Sequence, residues 1–186
     1  MPAGPKKRCG NACLWLFRSR TGSGYSSIRP ASKPIRRPPA KKKAADGEAL
    51  GRSKGGLTTK VHAAVDALGN PVYVHLSGGQ EADGKHFERI IEALPTEVKA
   101  VVGDKGYDTN AVVERMEEHE AEVVIPSKKN RTTERVIDKN LYQDRNKVER
   151  FFLKIKQNSA VATRYDKKAA CYLAVVHLAS IMCWLK

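Results

Sequence analysis

Two neighbouring stretches of the chain, 57–65 and 72–76, alternate in character, with Leu57, Val61, Ala63 and Val65 on one side of the first and Thr59 as its polar exception. A period of two is typical of strands with one buried face. The sequence ALGNP lies between the two stretches and has the composition of a tight turn, so the pair predicts a β-hairpin. Shorter apolar runs at 99–103 and 121–126 predict two further strands, both buried.

Four segments show the three-to-four-residue spacing of helices. Asp83 is predicted to cap the first, and the buried face of that helix comprises Phe87, Ile90, Ile91 and Leu94. The other helices are predicted at about 109–119, 141–156 and 167–185. The last is apolar almost all round but short for a membrane span, so we expect a buried core helix and no membrane contact.

The order of these elements predicts the fold class. Two antiparallel strands come first, and the later strands are linked through helices and should therefore be parallel. A polar loop at 127–140 separates the last strand from the two final helices. We therefore predict an α/β protein with a mixed sheet and helices on its faces, formed by one domain at 47–186.

Residues 1–46 differ in composition from the rest of the chain. Prolines recur every few residues and no helical or strand period is visible, so this segment is predicted to be disordered. It holds 12 of the 34 Lys and Arg residues and one of the 20 acidic residues, Asp46. The formal net charge of +14 is therefore mostly N-terminal, and it gives only weak support for nucleic-acid binding by the globular part.

The four cysteines, at positions 9, 13, 171 and 183, fit neither a disulfide framework nor a zinc-binding spacing. A reducing compartment is the simplest interpretation, and we expect a cytoplasmic protein.

Candidate chemistry lies first on the helix predicted at 141–156. At about 100° per residue, four polar side chains fall within an arc of roughly 60° beside the apolar stripe: Tyr142, Arg145, Glu149 and Lys156. A solvated charge pattern would scatter over the outer face instead. Glu149 by itself would ordinarily form an ion pair with a residue one turn away.

Asp104 is the second candidate, because it directly follows a buried strand and precedes a glycine-containing turn. Functional groups gather at the carboxyl ends of strands in α/β sheets, although an isolated Asp-x-Gly is more often only a turn. Together, Asp104 and Glu149 could bind Mg²⁺, which prefers oxygen ligands and supports phosphoryl transfer. Arg145 and Lys156 would then neutralise DNA phosphates.

Several motifs resemble those of known proteins. Tyr142, Arg145, Glu149 and Lys156 match the Y-x2-R-x3-E-x6-K signature of bacterial insertion-sequence transposases. The sequences GRSKGGLTTKVHAAVDALGNP, VVGDKGYD, VIPSKKNR and RNKVERFFLKIKQ resemble the insertion-sequence-five family of DDE transposases. The resemblance covers about 45–186, which is the C-terminal catalytic portion of such an enzyme.

This resemblance implies a ribonuclease H-like fold and a function in DNA transposition. The implied reaction is Mg²⁺- or Mn²⁺-dependent strand cleavage and strand transfer at insertion-sequence ends in double-stranded DNA. Asp104 would be the second metal-binding acid of the catalytic triad and Glu149 the third. The implied DNA contacts are Tyr142, Arg145 and Lys156, and the basic loop residues Lys128, Lys129 and Arg131 either contact the DNA backbone or are simply solvated.

The first acid of the triad is missing from the expected place. In the family it lies on the first strand, some 20 to 25 residues before the GRSKGG sequence, but no Asp or Glu precedes Asp46 here. We therefore expect a sheet lacking its first strand and an N-terminus translated out of the family's frame, or else a decayed copy. Whether the chain is an active enzyme stays open.

A second hypothesis is a non-catalytic DNA-binding or interfering fragment. Such a fragment would pair with another copy of the chain or with the transposase product of the upstream frame. DNA binding without DNA cutting would be its signature. A third hypothesis is a basic protein that binds nucleic acid through residues 1–46 alone.

Overall fold

The computed structural model describes residues 13–22, 48–53, 56–93, 98–131 and 134–185. The strands are β1 (Cys13–Gly22), β2 (Gly51–Ser53), β3 (Gly56–Val65), β4 (Pro71–Gly78), β5 (Ala100–Gly103) and β6 (Glu122–Val124). The helices are α1 (Phe87–Glu92), α2 (Asn110–Glu118), α3 (Lys139–Gln143), α4 (Asn146–Ile155), α5 (Ser159–Ala162) and α6 (Ala169–Trp184). Two short 3₁₀ helices cover Asp83–His86 and Lys105–Tyr107.

The strands form one mixed sheet whose main order is β4-β3-β1-β5-β6. β3 pairs antiparallel with both β4 and β1, while β5 runs parallel to β1 and β6 runs parallel to β5. The short β2 pairs with the beginning of β3. The sheet thus has three antiparallel strands, β4, β3 and β1, and two further strands parallel to β1, with β1 in the centre. This is the ribonuclease H-like arrangement. The predicted mixed α/β sheet is therefore confirmed.

β1 is where the structure differs from the sequence-based expectation. Residues 1–46 were expected to be disordered and to leave the sheet without its first strand, but Cys13–Gly22 lies as a strand between β3 and β5. The reason is visible in its first half, CLWLF, because an uninterrupted apolar run is typical of a strand buried on both faces. The rest of residues 1–46 lies outside the described residues.

The β3–β4 hairpin follows its prediction closely. The Oδ1 atom of Asp66 accepts hydrogen bonds from the backbone N–H groups of Leu68 and Asn70, at 2.9 and 2.8 Å. Gly69 has φ +89°, a left-handed conformation that glycine adopts without steric cost. Asp66 is thus used by the turn at the hairpin tip.

Helices cover both faces of the sheet and create two buried clusters. On one face, α4 buries Val148, Phe151, Phe152 and Ile155 against β3, β5 and α6. On the other face, α1 and α2 bury residues such as Phe87 and Met116 around Tyr107. The spacing of three and four residues on α4 is the period that places all four side chains on one side of a helix.

The segment predicted as one helix at 141–156 is divided in the structure. α3 ends at Gln143 and α4 begins at Asn146. Between them the backbone hydrogen bonds join residues three apart, as in Asp144 N to Leu141 O and Val148 N to Arg145 O. This tightened turn places Arg145 at the N-terminus of α4.

Asp83 also differs from its predicted role as a helix cap. It lies buried, and its Oδ1 atom accepts a hydrogen bond from the Lys60 ammonium at 3.1 Å. The cause is tertiary, because the Lys60 side chain points to the same face of the sheet and needs a counter-ion when buried.

α6 was expected to be a buried core helix, and the structure supports this for one face only. Tyr172, Val176 and Ser180 are buried, whereas Leu178, Met182 and Leu185 on other sides are exposed. Within the described ranges, no helix is both long enough and apolar enough to cross a membrane.

Candidate active site

Asp104 lies where the buried strand β5 ends. All four residues of β5 are buried, and the carboxylate that follows is 30 % exposed. Its Oδ1 atom accepts a hydrogen bond from the Lys105 backbone N–H at 2.8 Å, so Asp104 caps the 3₁₀ helix Lys105–Tyr107. The carboxylate thus lies at the end of β5, at the rim of the sheet. This is the position that the sequence predicted for a ligand-facing carboxylate.

A single guanidinium connects Asp104 with Glu149. Arg145 Nη2 lies 2.8 Å from Glu149 Oε1, and Arg145 Nη1 lies 3.9 Å from Asp104 Oδ1. The arginine and the glutamate are four residues apart, which brings their side chains together on one helical face. The structure therefore brings the two predicted acids into one place, with a cation between them.

Tyr142 completes this group from α3. Its hydroxyl accepts a hydrogen bond from Arg145 Nη1 at 3.3 Å, and the guanidinium carbon lies 5.3 Å from the centre of the tyrosine ring. Cation–π contact of this kind restrains an arginine side chain. Tyr142, Arg145 and Glu149 thus form one continuous chain of contacts, as their shared strip predicted.

Lys156 lies apart from this chain of contacts. It is the C-terminal cap of α4, seven residues beyond Glu149, which corresponds to about 10 Å along a helix axis. Lys156 is partly buried, and this burial lowers the pKa of its ammonium. The predicted strip is therefore two separate groups, one around Arg145 and one at the end of α4.

The basic loop is organised by the buried carboxylate of Asp108. Asp108 accepts hydrogen bonds from the Lys128 backbone N–H at 2.8 Å and from Arg131 Nε at 2.9 Å, and Arg135 Nη2 lies 3.4 Å away. Burial raises the pKa of Asp108, but the hydrogen bonds from Lys128 and Arg131 outweigh burial and hold this pKa below its usual range. Thr109, and not Asp108, caps α2.

This arrangement changes the interpretation of the three basic loop residues. The Lys128 ammonium donates to the Asp108 carbonyl at 2.8 Å, and Arg131 is paired with the Asp108 carboxylate. Lys129 is exposed in the turn between them. These basic residues lie 20 or more positions beyond Asp108 in the sequence, so the pairing left no local sequence signal.

A second set of buried polar residues supports the short segment that contains Asp104 and Tyr107. The sequence pattern did not connect these residues with one another. His62 on β3 is fully buried, with Nδ1 at 2.8 Å from the Tyr107 hydroxyl and Nε2 at 2.7 Å from Ser77 Oγ. Tyr107 lies three residues after Asp104 and is itself buried. Since both ring nitrogens of His62 are used, it fixes the loop and is not available as a metal ligand.

The first acid of the triad, which the family carries on its first strand, is absent from β1. Its sequence, CLWLFRSRTG, contains no Asp or Glu. The register pairs Leu16 with Gly103 on β5, so position 17 is level with Asp104 and lies opposite Ala63 on β3. The central strand is therefore in place without an acid at the level of Asp104.

Asp104 and Glu149 form only part of the donor set of a divalent metal centre, so we expect weak metal binding. Among the described side chains, no group of three His, Cys, Asp or Glu residues is arranged to hold a metal ion. Asp104 and Glu149 are two oxygen donors, and a guanidinium already lies between them. Mg²⁺ and Mn²⁺ prefer several oxygen ligands.

A ribonuclease H-like sheet with an aspartate after its fourth main strand and a glutamate on the helix facing that strand defines a DDE-type domain. The sequence profile of the transposase DDE domain family matches residues 32–184. The chain belongs to this family. It is 31 % identical over 131 residues to a Brucella ovis protein assigned as the transposase of insertion sequence element IS6501, covering 70 % of this chain and the whole of that relative.

Solved transposases show a distant similarity over most of the chain. The piggyBac transposase in its synaptic complex with hairpin DNA matches 90 % of this chain at 10 % identity, with a TM-score of 0.44. The Mos1 pre-cleavage transpososome matches 92 % at 12 % identity with a TM-score of 0.39, and the Mos1 paired-end complex with Mn has a TM-score of 0.36 at 11 % identity. The chain spans about half the length of each of these proteins: 45 % of the first and 53 % of the other two.

Proposed function

We propose that this chain is the catalytic portion of a bacterial insertion-sequence transposase of the insertion-sequence-five group. In this proposal it binds double-stranded DNA at transposon ends and lacks one of the three acids needed to cut it. Its place of action is the bacterial cytoplasm, on the nucleoid when bound to DNA. The observation that carries the proposal is the convergence of Asp104 and Glu149 on one guanidinium, beside a central strand without a carboxylate.

Arg145 has the central role in DNA binding in this proposal. Without DNA, it neutralises two carboxylates whose mutual repulsion would otherwise disfavour their proximity. A phosphate that approaches the site can accept hydrogen bonds from the planar guanidinium, which suits phosphate oxygens. Tyr142 keeps the guanidinium in its orientation through the ring contact and the hydroxyl hydrogen bond.

The other basic residues contribute to a surface for the DNA backbone. Lys129 is exposed and free to meet phosphates, whereas Lys128 and Arg131 act mainly by fixing the loop through Asp108. Lys156 lies at the far end of α4 and would contact a neighbouring phosphate. Charge neutralisation of this kind is independent of base sequence and depends strongly on salt.

Two assays on the same protein test the proposal. The first measures binding of the full chain to a duplex carrying the insertion-sequence end, across a range of salt concentrations. The second measures nicking of that duplex with Mg²⁺ and with Mn²⁺. We expect binding that weakens steeply with salt, and no nicking by the wild-type chain.

Two results would contradict the proposal in different ways. If the chain fails to bind duplex DNA at low salt, the DNA-binding role is wrong. If the wild-type chain nicks DNA and Glu149→Gln abolishes nicking, the proposal that the chain cannot cut is wrong. Another residue would then take the place of the missing first acid. Glu118→Gln is the matched control, because Glu118 is an exposed glutamate on α2 that pairs with Arg115.

A non-catalytic role is the second candidate, and the acid-free β1 favours it. In that role the chain would interfere with transposition by occupying transposon ends or by pairing with a complete transposase, including the product of the upstream frame. Adding the purified chain to an active transposase of the same element should then reduce cleavage. The reduction should depend on Arg145 if DNA occupancy is the cause.

A further inference from the structure

The outer face of α6 is apolar, and its large side chains are exposed among the described residues. Its inner face packs Tyr172 and Val176 into the larger core cluster. On the opposite side, large apolar residues are exposed to solvent, from 51 % for Ile181 to 74 % for Leu185, and they also include Leu178 and Met182. Exposed apolar groups in such a continuous patch are uncommon on soluble proteins and mark interaction surfaces.

The spacing of this face is that of a helix which packs against another helix. Along α6 and its C-terminal cap, five exposed residues follow one another at intervals of three, four, three and four: Cys171, Ala174, Leu178, Ile181 and Leu185. This is the a/d pattern of a coiled-coil seam, with small residues at one end and large ones at the other. We call these five residues the α6 stripe. The stripe predicts a helical partner.

The charges around the stripe indicate the direction of that partner. From Ala169 to Leu185 there is no Lys, Arg, Asp or Glu. Lys167 and Lys168 are exposed immediately before the helix, at the end where the helix dipole is positive. In an antiparallel pair of such helices, both lysines would lie beside the C-terminal carbonyl groups of the other helix, where positive charge is stabilising.

The sequences of residues 1–12 and 23–47 carry no second stripe of this kind. Residues 23–47 contain four prolines and no Leu, Val, Phe, Met or Trp, and residues 1–12 contain two prolines and a single large aliphatic side chain, Met1. Proline in a helix interior removes a hydrogen bond and breaks the helix. A second copy of the chain, by contrast, carries the same stripe.

The available area suits a small dimer interface. The α6 stripe and the adjacent Met182 offer on the order of 500 Å² of exposed side chain per copy, below the roughly 800 Å² per partner of a standard interface. A groove of about 440 Å³ runs beside the stripe between α6 and β4, with Ile181 and Trp184 on its wall. Trp184 is held there by a 3.0 Å hydrogen bond from its ring N–H to the Pro71 carbonyl.

We propose that two copies of the chain associate through antiparallel packing of their α6 stripes about a two-fold axis near Leu178. A two-fold interface uses the same surface on both copies, as a self-complementary stripe requires. The inference is independent of the proposed function, since it needs neither DNA nor the Asp104–Glu149 site.

Sedimentation velocity of the full chain, over a concentration range from about 1 to 100 µM that brackets ordinary transient interfaces, tests the association. We expect a monomer–dimer equilibrium for the wild type and a monomer for Leu178→Glu at every concentration. Leu153→Glu is the matched control, because Leu153 is exposed to a similar extent, 67 % against 64 %, but lies on α4 outside the stripe. Circular dichroism verifies that both variants are folded.

Each alternative result contradicts the proposal. A wild-type chain that stays monomeric overturns it, and so does a polydisperse aggregate without a defined dimer. A dimer that survives Leu178→Glu, or that is lost equally in Leu153→Glu, places the interface elsewhere. These measurements contain no DNA, so a negative result would contradict the dimer proposal without contradicting the proposed DNA-binding function.

Disulfide cross-linking tests the direction of packing. In a chain whose four cysteines are replaced by serine, Leu178→Cys should cross-link efficiently on mild oxidation, because position 178 lies near the axis. Restoring Cys171 alone should give no cross-link, since the two copies of this residue would lie at opposite ends of the seam. Efficient cross-linking through Cys171 would show parallel packing and overturn the antiparallel arrangement.

Discussion

The carboxylates of Asp104 and Glu149 face the same guanidinium, which lies 3.9 Å from the first and 2.8 Å from the second. One acid ends a strand and the other lies on a helix 45 residues later, so only the tertiary fold brings them together. The cation between them, Arg145, offsets the repulsion between the two carboxylates. It also makes this arginine the residue whose removal should change the site most.

Replacing Arg145 with glutamine should weaken DNA binding by more than the loss of one ordinary surface charge. The variant loses a phosphate donor and leaves two carboxylates facing the DNA without neutralisation. We expect the slope of log affinity against log salt to fall by about 0.9 or more, together with a lower affinity at low salt. Arg150→Gln, an exposed arginine on the same helix, is the control. Equal effects of both substitutions would show that the position of Arg145 has no special role.

Asp108→Asn should destabilise the fold strongly although it is nearly isosteric. Two arginines and the Lys128 backbone depend on the Asp108 carboxylate, which is fully buried. Breaking a buried ion pair by removing one partner typically costs about 3–5 kcal/mol. Urea unfolding measures this loss. Asp144→Asn, whose partner Lys147 lies on the surface of α4, should change the free energy of unfolding by less than about 1 kcal/mol.

Stability should decline in mild acid because of the histidines on β4 and the following turn. Burial, together with the charges of His86 and Arg89, lowers the pKa of His75 from 6.5 to about 4, with Glu81 opposing the shift, and burial also lowers the pKa of His86. The folded protein therefore binds fewer protons than the unfolded chain between these values. The contribution of the neutral His75 to the free energy of unfolding is complete above about pH 6.5. It is lost as the pH falls toward 4, because the unfolded chain takes up the proton first.

The urea midpoint measured from pH 7 to pH 4.5 examines this dependence. In His75→Gln, the decline with falling pH should be smaller than in the wild type, while His119→Gln, an exposed histidine after α2, should follow the wild type. A wild-type midpoint that rises in the same interval would contradict the assignment, since it would require protonation to favour the folded state.

The secondary structure was predictable to the extent that it depends on local pattern. The β3–β4 hairpin and β5 follow their predicted limits, because alternation and turn composition are local signals. The convergence of Asp104 with Glu149 followed from the resemblance to a family and from strand-end position. The roles of Asp108 and Asp83, and the pairing of His62 with Tyr107, were missed because these partners are 20 or more residues away on other elements. Such pairs leave no periodic signal.

β1 could have been predicted and was not. Its apolar run CLWLF is typical of a central strand, but the prolines and arginines around it dominated the interpretation of residues 1–46. A composition averaged over a long segment conceals a short buried strand. The register of β1 in the sheet, such as the pairing of Phe17 with Ala63, could therefore be obtained only from the structure.

Restoring a carboxylate to β1 should create a metal site. Position 17 is level with Asp104, so Phe17→Asp would add a third oxygen donor to Asp104 and Glu149. We expect Mn²⁺ binding, followed by electron paramagnetic resonance of the free ion, to be undetectable in the wild type and measurable in the variant. Since successive strand positions face opposite sides of a sheet, Arg18→Asp should leave Mn²⁺ unbound. Tight Mn²⁺ binding by the wild-type chain would contradict the poor fit of its donors.

The central place of β1 also determines when the protein can fold during its synthesis. The partners of Trp15 on β3 and β5 are Val65 and Val102, made 50 and 87 residues later. At ordinary translation rates the strand would wait roughly 4 to 17 s before its second neighbour leaves the ribosome. Until β3 is made this apolar strand has neither hydrogen-bonding neighbour, and until β5 is made it has only one, a condition that slows folding and attracts chaperones. A strand that every later element assembles around is thus also the first part of the nascent chain to need protection.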